Sequence, residues 1–282
     1  MLELYQRIQH ANVTLKGDLE FVNEWDFFMR DPGDRLENLV ATGPYAGTLR
    51  AFRTGVEFRT RYEDLLEQAL ESEQSVFWAS ASKRVEETAK YFAAGFFGLD
   101  WQEKAQLQVI PETEGRGGDT LTPGKTCFKY LHDADDHGRT YGYRMWAAWR
   151  EVYLPPLAAR LAKQNPSINF TASEVYSMQE LCGFEAIAKG ESKWCDVFSH
   201  EEWGQFEYAR DLLHYYRTGP GNPYSTTMGW LWLNATAHLL GAGPEVGPLF
   251  FSLQASHFFP LRAIVNDVPA STTATSSPCS PP

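Results

Sequence analysis

A chain of 282 residues, 43% hydrophobic and 14% aromatic, is long enough for a large core and two structural units and has the composition of a globular protein. Its formal net charge of -11 gives no support for nucleic-acid binding, which needs a basic footprint. The same charge repels a polyanion at neutral pH and less so at acid pH, where carboxylates are protonated, so a site for an anionic substrate must be built locally. No apolar run reaches the length of a membrane span.

In chain order, Lys16 to Phe28 mixes charges and aromatics without a period, and Asp31-Pro32-Gly33-Asp34 signals a turn. Tyr45 to Leu70 is amphipathic. Leu49, Phe52, Val56, Tyr62 and Leu65 follow a helical spacing, while Phe58 falls off that face. Ser75 to Ala79 suits a buried strand, Ser80 to Phe97 a helix with Val85, Thr88, Ala89, Phe92 and Phe96 on one face, and Ala105 to Ile110 a second strand ended by Pro111. Strand, helix, strand implies a parallel α/β sheet. Glu112 to Tyr141 is polar and turn-rich and reads as a long loop. Gly142 to Lys163, Thr171 to Ala188, Glu207 to Tyr216 and Met228 to Leu240 read as helices, with Ser199-His200-Glu201-Glu202 as a helix start. Pro248 to Leu253 is a third strand candidate. Gln254 to Asp267 has no clean period, and Val268 to Pro282 has the composition of a disordered tail.

Secretory marks conflict with the beginning of the chain. Asn12-Val13-Thr14, Asn169-Phe170-Thr171 and Asn234-Ala235-Thr236 are glycosylation sequons, whereas Asn165-Pro166-Ser167 is excluded by its proline. The four cysteines Cys127, Cys182, Cys195 and Cys279 are compatible with disulfides or with buried thiols. Met1 to Arg7 offers no apolar segment of a signal peptide. A lost N-terminal portion reconciles these features and is the expectation.

Three local clusters could carry chemistry. Ser80-Ala81-Ser82-Lys83-Arg84 lies between a strand and a helix, where ligands sit in open α/β sheets. Free N–H groups of the helix start attract an anion, and Arg84 can grip a phosphate bidentately. The bland alternative is a surface arginine. His132-Asp133-Ala134-Asp135-Asp136-His137 holds metal-ligand residue types but no regular scaffold, and reads as a solvated acidic loop. His200-Glu201-Glu202-Trp203 lacks the second histidine of a zinc protease, with Gly204 in its place, and reads as a helix start. No metal site and no cofactor is expected from these segments.

Gly43-Pro44-Tyr45-Ala46-Gly47 through Arg61-Tyr62 resembles the fungal phytases and acid phosphatases of the histidine acid phosphatase family. Collinear segments agree, among them Arg84-Val85-Glu86-Glu87-Thr88-Ala89, Gln164-Asn165-Pro166, Tyr176 to Phe184, Gly219-Pro220-Gly221-Asn222-Pro223 and Leu249-Phe250-Phe251-Ser252. The resemblance implies an α/β fold: a histidine-phosphatase-like, mostly parallel sheet flanked by helices, with a mostly helical insert unit. Expected boundaries are an N-terminal helical segment packing on the α/β domain (1–72), an α/β core segment (73–115), a helical insert (116–245), a core strand (246–253) and an aberrant disordered tail (254–282).

It also implies metal-free, two-step hydrolysis of phosphomonoester or phytate-like small molecules at acid pH, in a secreted protein. A histidine attacks phosphorus, arginines hold the phosphoryl oxygens, and an aspartic acid protonates the leaving oxygen. Arg84 takes the place of the family's later phosphate-binding arginine. Cys182 and Cys195 match a disulfide, while Cys127 matches a position whose partner lies beyond this chain and is expected to be unpaired.

The family's Arg-His-Gly-x-Arg-x-Pro motif does not occur here, and the strand ending at Leu253 runs into Gln254-Ala255-Ser256-His257 without the family's His-Asp pair. The chain is thus expected to be a fragment that lacks the first strand and the C-terminal part, with an unpaired interior sheet edge and no activity of its own. The alternative is a non-catalytic relative that binds phosphorylated ligands or a protein partner. Shifted one base upstream, codons for residues 271–282 permit His-Asp-x-Asp-Ile-x-Pro, so a frame error before Ser271 is a further expectation.

Overall fold

The computed structural model describes residues 2–11, 13–26, 47–71, 75–116, 120–133, 135, 137–242, 249–253 and 258–262. The turn signals at residues 31–34 and 42–44, Asn12, and the 271–282 segment lie outside the described residues. The chain divides into two compact units, one of residues 1–46 and 141–221, the other of 47–140 and 222–282.

The first unit is helical: α1 (Leu2–Ala11), α7 (Arg139–Gln164, whose first two residues belong to the other unit), α8 (Ala172–Lys189) and α9 (His200–Arg217), with 3-10 turns at Gly17–Asn23 and Lys193–Val197. Two helix starts have reciprocal caps. Thr171 and Glu174 open α8, and Ser199 and Glu202 open α9, each pair satisfying two otherwise orphaned backbone N–H groups. Leu4, Ile8, Leu15, Leu19, Val22 and Trp25 are buried in one cluster with Leu154, Leu157, Leu161 and Val175. The N-terminal residues therefore pack on the helices of this unit, which differs from the α/β placement expected for the stretch 1–72. Arg160 reinforces the assembly, donating to both carboxylate oxygens of Glu202 at 2.8 Å and to Asp18.

The second unit holds the sheet, in the order β2-β1-β3-β4. Its strands are β1 (Ser75–Ser80), β2 (Ala105–Ile110), β3 (Leu249–Leu253) and β4 (Phe258–Arg262). β1 pairs in parallel with β2 and with β3, so Phe77 lies between Leu107 and Phe251. β4 pairs antiparallel with β3. Two sequence expectations change here. The supposed tail contains a strand, and β1 and β3 each have two neighbours, so that among the described residues β2 and β4 are the edges and no interior position is open.

Helices α2 (Gly47–Arg61), α3 (Glu63–Glu71), α4 (Lys83–Phe97) and α10 (Ser225–Ala242) complete this unit, with the short α5 (Pro123–Thr126) and α6 (Phe128–Leu131) inside the expected loop. α4 buries Val85, Ala89, Phe92, Ala93 and Phe96, and Phe77 of β1 meets Phe92 and Phe97 edge-on at centroid distances of 6.1 and 5.8 Å. Thr88, expected on this face, is exposed. The inner face of α2 is also not the expected one. Ala51 and Gly55 are buried and Phe58 packs on Phe92, whereas Val56 is 41% exposed. Small residues make this contact, and a scan for large apolar ones misplaces it.

Candidate functional site

β1, β2 and β3 run in parallel and end on the same side of the sheet, at Ser80, Ile110 and Leu253. From Ser80 the chain turns directly into α4. Ala81 N–H donates to Ile110 O at 2.8 Å, which ties the turn to β2, and Ser82 N–H donates to Ser80 O at 2.7 Å. Ser82 is the N-cap in an extended conformation, and its carbonyl accepts from Val85 and Glu86 N–H. Arg84 follows in the first helical turn. It is exposed, and its Nη1 donates to Ser82 Oγ at 3.3 Å. Ser80 Oγ is buried with no hydrogen-bond partner among the described residues. A guanidinium, a helix N-terminus and an orphan hydroxyl thus gather around one strand end, an arrangement suited to a tetrahedral oxyanion.

The helical unit holds a second cationic feature that no local motif announces. Tyr143, Trp146 and Arg150 of α7, Ser173, Tyr176, Ser177 and Glu180 of α8, and Arg210, Leu213 and Arg217 of α9 line a cavity of about 410 Å³. Arg150 Cζ lies 4.0 Å from the Trp146 ring centroid and 4.4 Å from that of Tyr176. Its Nη2 donates to Ser173 Oγ at 3.3 Å, and its Nε is buried with no hydrogen-bond partner among the described residues. Arg210 Nη1 reaches Tyr176 Oη at 3.4 Å and Glu180 Oε1 at 3.5 Å. Burial pushes the Glu180 carboxyl above its ordinary value, against the pull of Arg210 and Arg150. His214, beside this wall, is pushed below the usual histidine value, mainly by burial and then by Arg210 and Arg217. Three guanidiniums against one carboxylate make a local positive site on an acidic chain.

The other candidate residues have structural places. Asp133 accepts from the N–H groups of Asp135 and His137, and His132 Nε2 pairs with Glu114 at 2.9 Å, as in a solvated loop. Among the described residues no cluster could hold a metal ion. His200 opens α9, and Glu202 caps it while binding Arg160. Cys182 and Cys195 form a disulfide. Cys127 is disulfide-bonded as well, with a partner outside the described residues, so the expectation that it is unpaired is overturned. Asn169 is exposed and its carbonyl accepts from Arg7, while Asn234 lies within α10. No described helix is long and apolar enough to cross a membrane.

A sheet with three parallel strands flanked by helices, with Arg84 in the first turn of the helix that follows β1, defines an α/β class of protein. The chain belongs to the histidine phosphatase superfamily (branch 2), whose family model matches residues 1–245. It is 34% identical over 242 residues to Phytase PHO112 of Candida albicans, covering 84% of this chain and 50% of that protein. It is 34% identical over 253 residues to Acid phosphatase PHO1 of Komagataella pastoris, covering 88% and 52%. The crystal structure of the phytase from D. castellii superposes with a TM-score of 0.75 at 31% identity, over 89% of this chain and 54% of that one. The chain spans about half the length of the curated relatives it matches.

Proposed function

We propose that the chain contributes a phosphate-anchoring part of an acid phosphomonoesterase of phytase type, with Arg84 holding the phosphoryl oxygens. The placement of Arg84, one turn into α4 directly after β1, carries this reading. Substrates of the class are small phosphomonoesters, phytate among them. In the phosphohistidine route a histidine forms a bond to phosphorus as the ester oxygen leaves with a proton from a carboxylic acid, and water then frees phosphate from the histidine. The 282 residues contain neither the Arg-His-Gly-x-Arg-x-Pro motif nor a His-Asp pair after β3. By themselves they bind phosphate without hydrolysing its esters. The Cys182–Cys195 disulfide supports folding in an oxidising, secretory compartment.

A second reading, a non-catalytic relative that binds phosphorylated ligands, is favoured by the arginine cavity of the helical unit. Calorimetric titration of inorganic phosphate at acid pH separates the two. Loss of a charge-assisted hydrogen bond is worth about 1.5–3 kcal/mol, roughly ten- to a hundredfold in affinity. Arg84→Ala should lose that factor, and Arg84→Lys should recover only part of it, because lysine cannot bind bidentately. Unchanged affinity in Arg84→Ala, with the loss appearing instead in Arg210→Ala, removes the first reading in favour of the second.

A further inference from the structure

The arginines of the helical-unit cavity are held differently from others in that unit. Arg160 meets both oxygens of Glu202 at 2.8 Å, and Arg7 meets Glu174 at 2.8 Å, the lengths of closed charge-assisted hydrogen bonds. Arg210 reaches Glu180 only at 3.5 Å and Tyr176 Oη at 3.4 Å, and its other terminal nitrogen lies 3.3 Å from His214 Nε2. Arg150 has one hydrogen bond, to Ser173 Oγ at 3.3 Å, and no carboxylate partner among the described residues. Every one of these contacts is longer than an ordinary hydrogen bond.

Stacking holds these side chains instead. Arg150 Cζ lies 4.0 Å from the Trp146 centroid and 4.4 Å from that of Tyr176, and Arg217 Cζ lies 5.1 Å from that of Tyr143. Rings cover the flat faces of a guanidinium. Its N–H groups lie in the plane and point outward from the edges, where an oxyanion is gripped. Trp146 and Arg150 are four residues apart on α7, hence on one face, and Trp146 Nε1 and Arg150 Nε are both buried without an acceptor among the described residues. The wall is rich in donors and short of acceptors. Its one carboxylate among the described lining residues is Glu180.

We infer that this cavity is a second anion site, for a free tetrahedral dianion of the sulfate and phosphate kind, in which the Glu180 carboxylate is a resident competitor. The inference rests on the second reading above and adds the part of Glu180. The site lies in the helical unit, whereas Arg84 belongs to the other. A volume of about 410 Å³ holds such an ion with several waters, and the ring faces are already stacked on guanidiniums, which favours the bare ion over an ester with an organic body. Ionised, Glu180 occupies the edge of Arg210 and cancels one of three positive charges. Uncharged, it leaves that edge and the whole charge to the ligand. The groups that act on Glu180 are Arg150 and Tyr153 of α7, Tyr176 of α8 and Arg210 of α9, with Asp211, His214 and Arg217 farther along α9. Its burial favours the uncharged form, and a bound dianion favours it further, so anion and proton bind cooperatively.

The test is calorimetric titration of the full chain with sodium sulfate at neutral pH and low ionic strength. Sulfate keeps both charges where carboxylates and histidine titrate. All variants carry Arg84→Ala, which removes the anion site of the other unit, and circular dichroism checks folding. Glu180→Gln should bind sulfate about tenfold more tightly, the size of one close charge. Adding Arg210→Gln or Arg150→Gln should lose at least that factor, and inorganic phosphate should displace the sulfate. A gain with Glu180→Gln is a result that mere structural support by Glu180 would not give. Equal affinity with and without Glu180→Gln, together with weakening by Arg210→Gln, overturns the competitor and leaves the second reading standing. Absence of binding even in Glu180→Gln overturns both. Binding that ignores Arg150→Gln and Arg210→Gln also overturns the site, and displacement by a phosphate ester but not by inorganic phosphate overturns the choice of the bare ion.

Discussion

Gly55 of α2 and Gly95 of α4 meet with no room for a side chain on either. A Cβ on Gly55 would lie 3.0 Å from Gly95 Cα and 2.3 Å from Phe92 O, and one on Gly95 would lie 3.1 Å from Gly55 Cα and 2.1 Å from Phe52 O. The two helices therefore pack backbone against backbone, and this contact sets the position of the helix that carries Arg84. Each glycine weakens its own helix and is retained where the other helix needs the space.

Adding a methyl group at either position should pry the helices apart. Gly55→Ala and Gly95→Ala are each expected to lose about 1–3 kcal/mol, as overpacked sites do. Denaturant melts of the purified chain measure this. Midpoints equal to the parent's would show that the contact is not close in solution.

The Cys182–Cys195 bond joins α8 to the 3-10 turn at Lys193–Val197. Around it the buried Glu185 accepts from Trp25 Nε1 at 2.9 Å and from Ser192 Oγ at 2.5 Å, and pairs with Lys189 at 2.9 Å. Cys182→Ser with Cys195→Ser should lower stability by roughly 3 kcal/mol on the loop-entropy account. An equal melt for the double variant would assign the stability of this corner to Glu185 and its partners instead.

Glu180 gives a pH dependence with a definite sign. Burial holds its carboxyl above the ordinary 4.5, so the folded chain binds this proton more tightly than the unfolded chain does. The ionised carboxylate therefore costs stability above its folded pKa, and the cost disappears once the pH is below 4.5. Glu180→Gln should melt higher than the parent at neutral pH. The gain should shrink as the pH falls through the folded value and be gone below the ordinary one. A gain that grows on acidification would contradict the placement of Glu180.

The strand-helix-strand of β1, α4 and β2 was legible because each element has its own period and Pro111 ends the second strand. The α9 start was legible because a capping box is local in sequence. β4 was not: Pro260 argues against a strand, and its register comes from pairing with β3. The inner face of α2 was missed because Ala51 and Gly55 have little hydrophobicity to count. Of the candidate site, the place of Arg84 in the first helical turn after β1 could be read from pattern, while its proposed hold on phosphate rests on family resemblance. The arginine cavity could not, because Arg150 is 60 residues from Arg210 and only the packing of α7, α8 and α9 brings them together. The pairing of Cys182 with Cys195 followed from family resemblance, while the bonded state of Cys127 did not.

The central claim is that these 282 residues hold phosphate without performing hydrolysis, and turnover measures it most directly. The purified chain is assayed with p-nitrophenyl phosphate and phytate at acid pH. Loss of catalytic groups acting as a unit lowers rates by several powers of ten. The account predicts release of phosphate far below the ordinary enzyme range of about 1 per second and above. Turnover within that range, abolished by Arg84→Ala, would contradict it and would show that the described residues or those beside them contain a complete site.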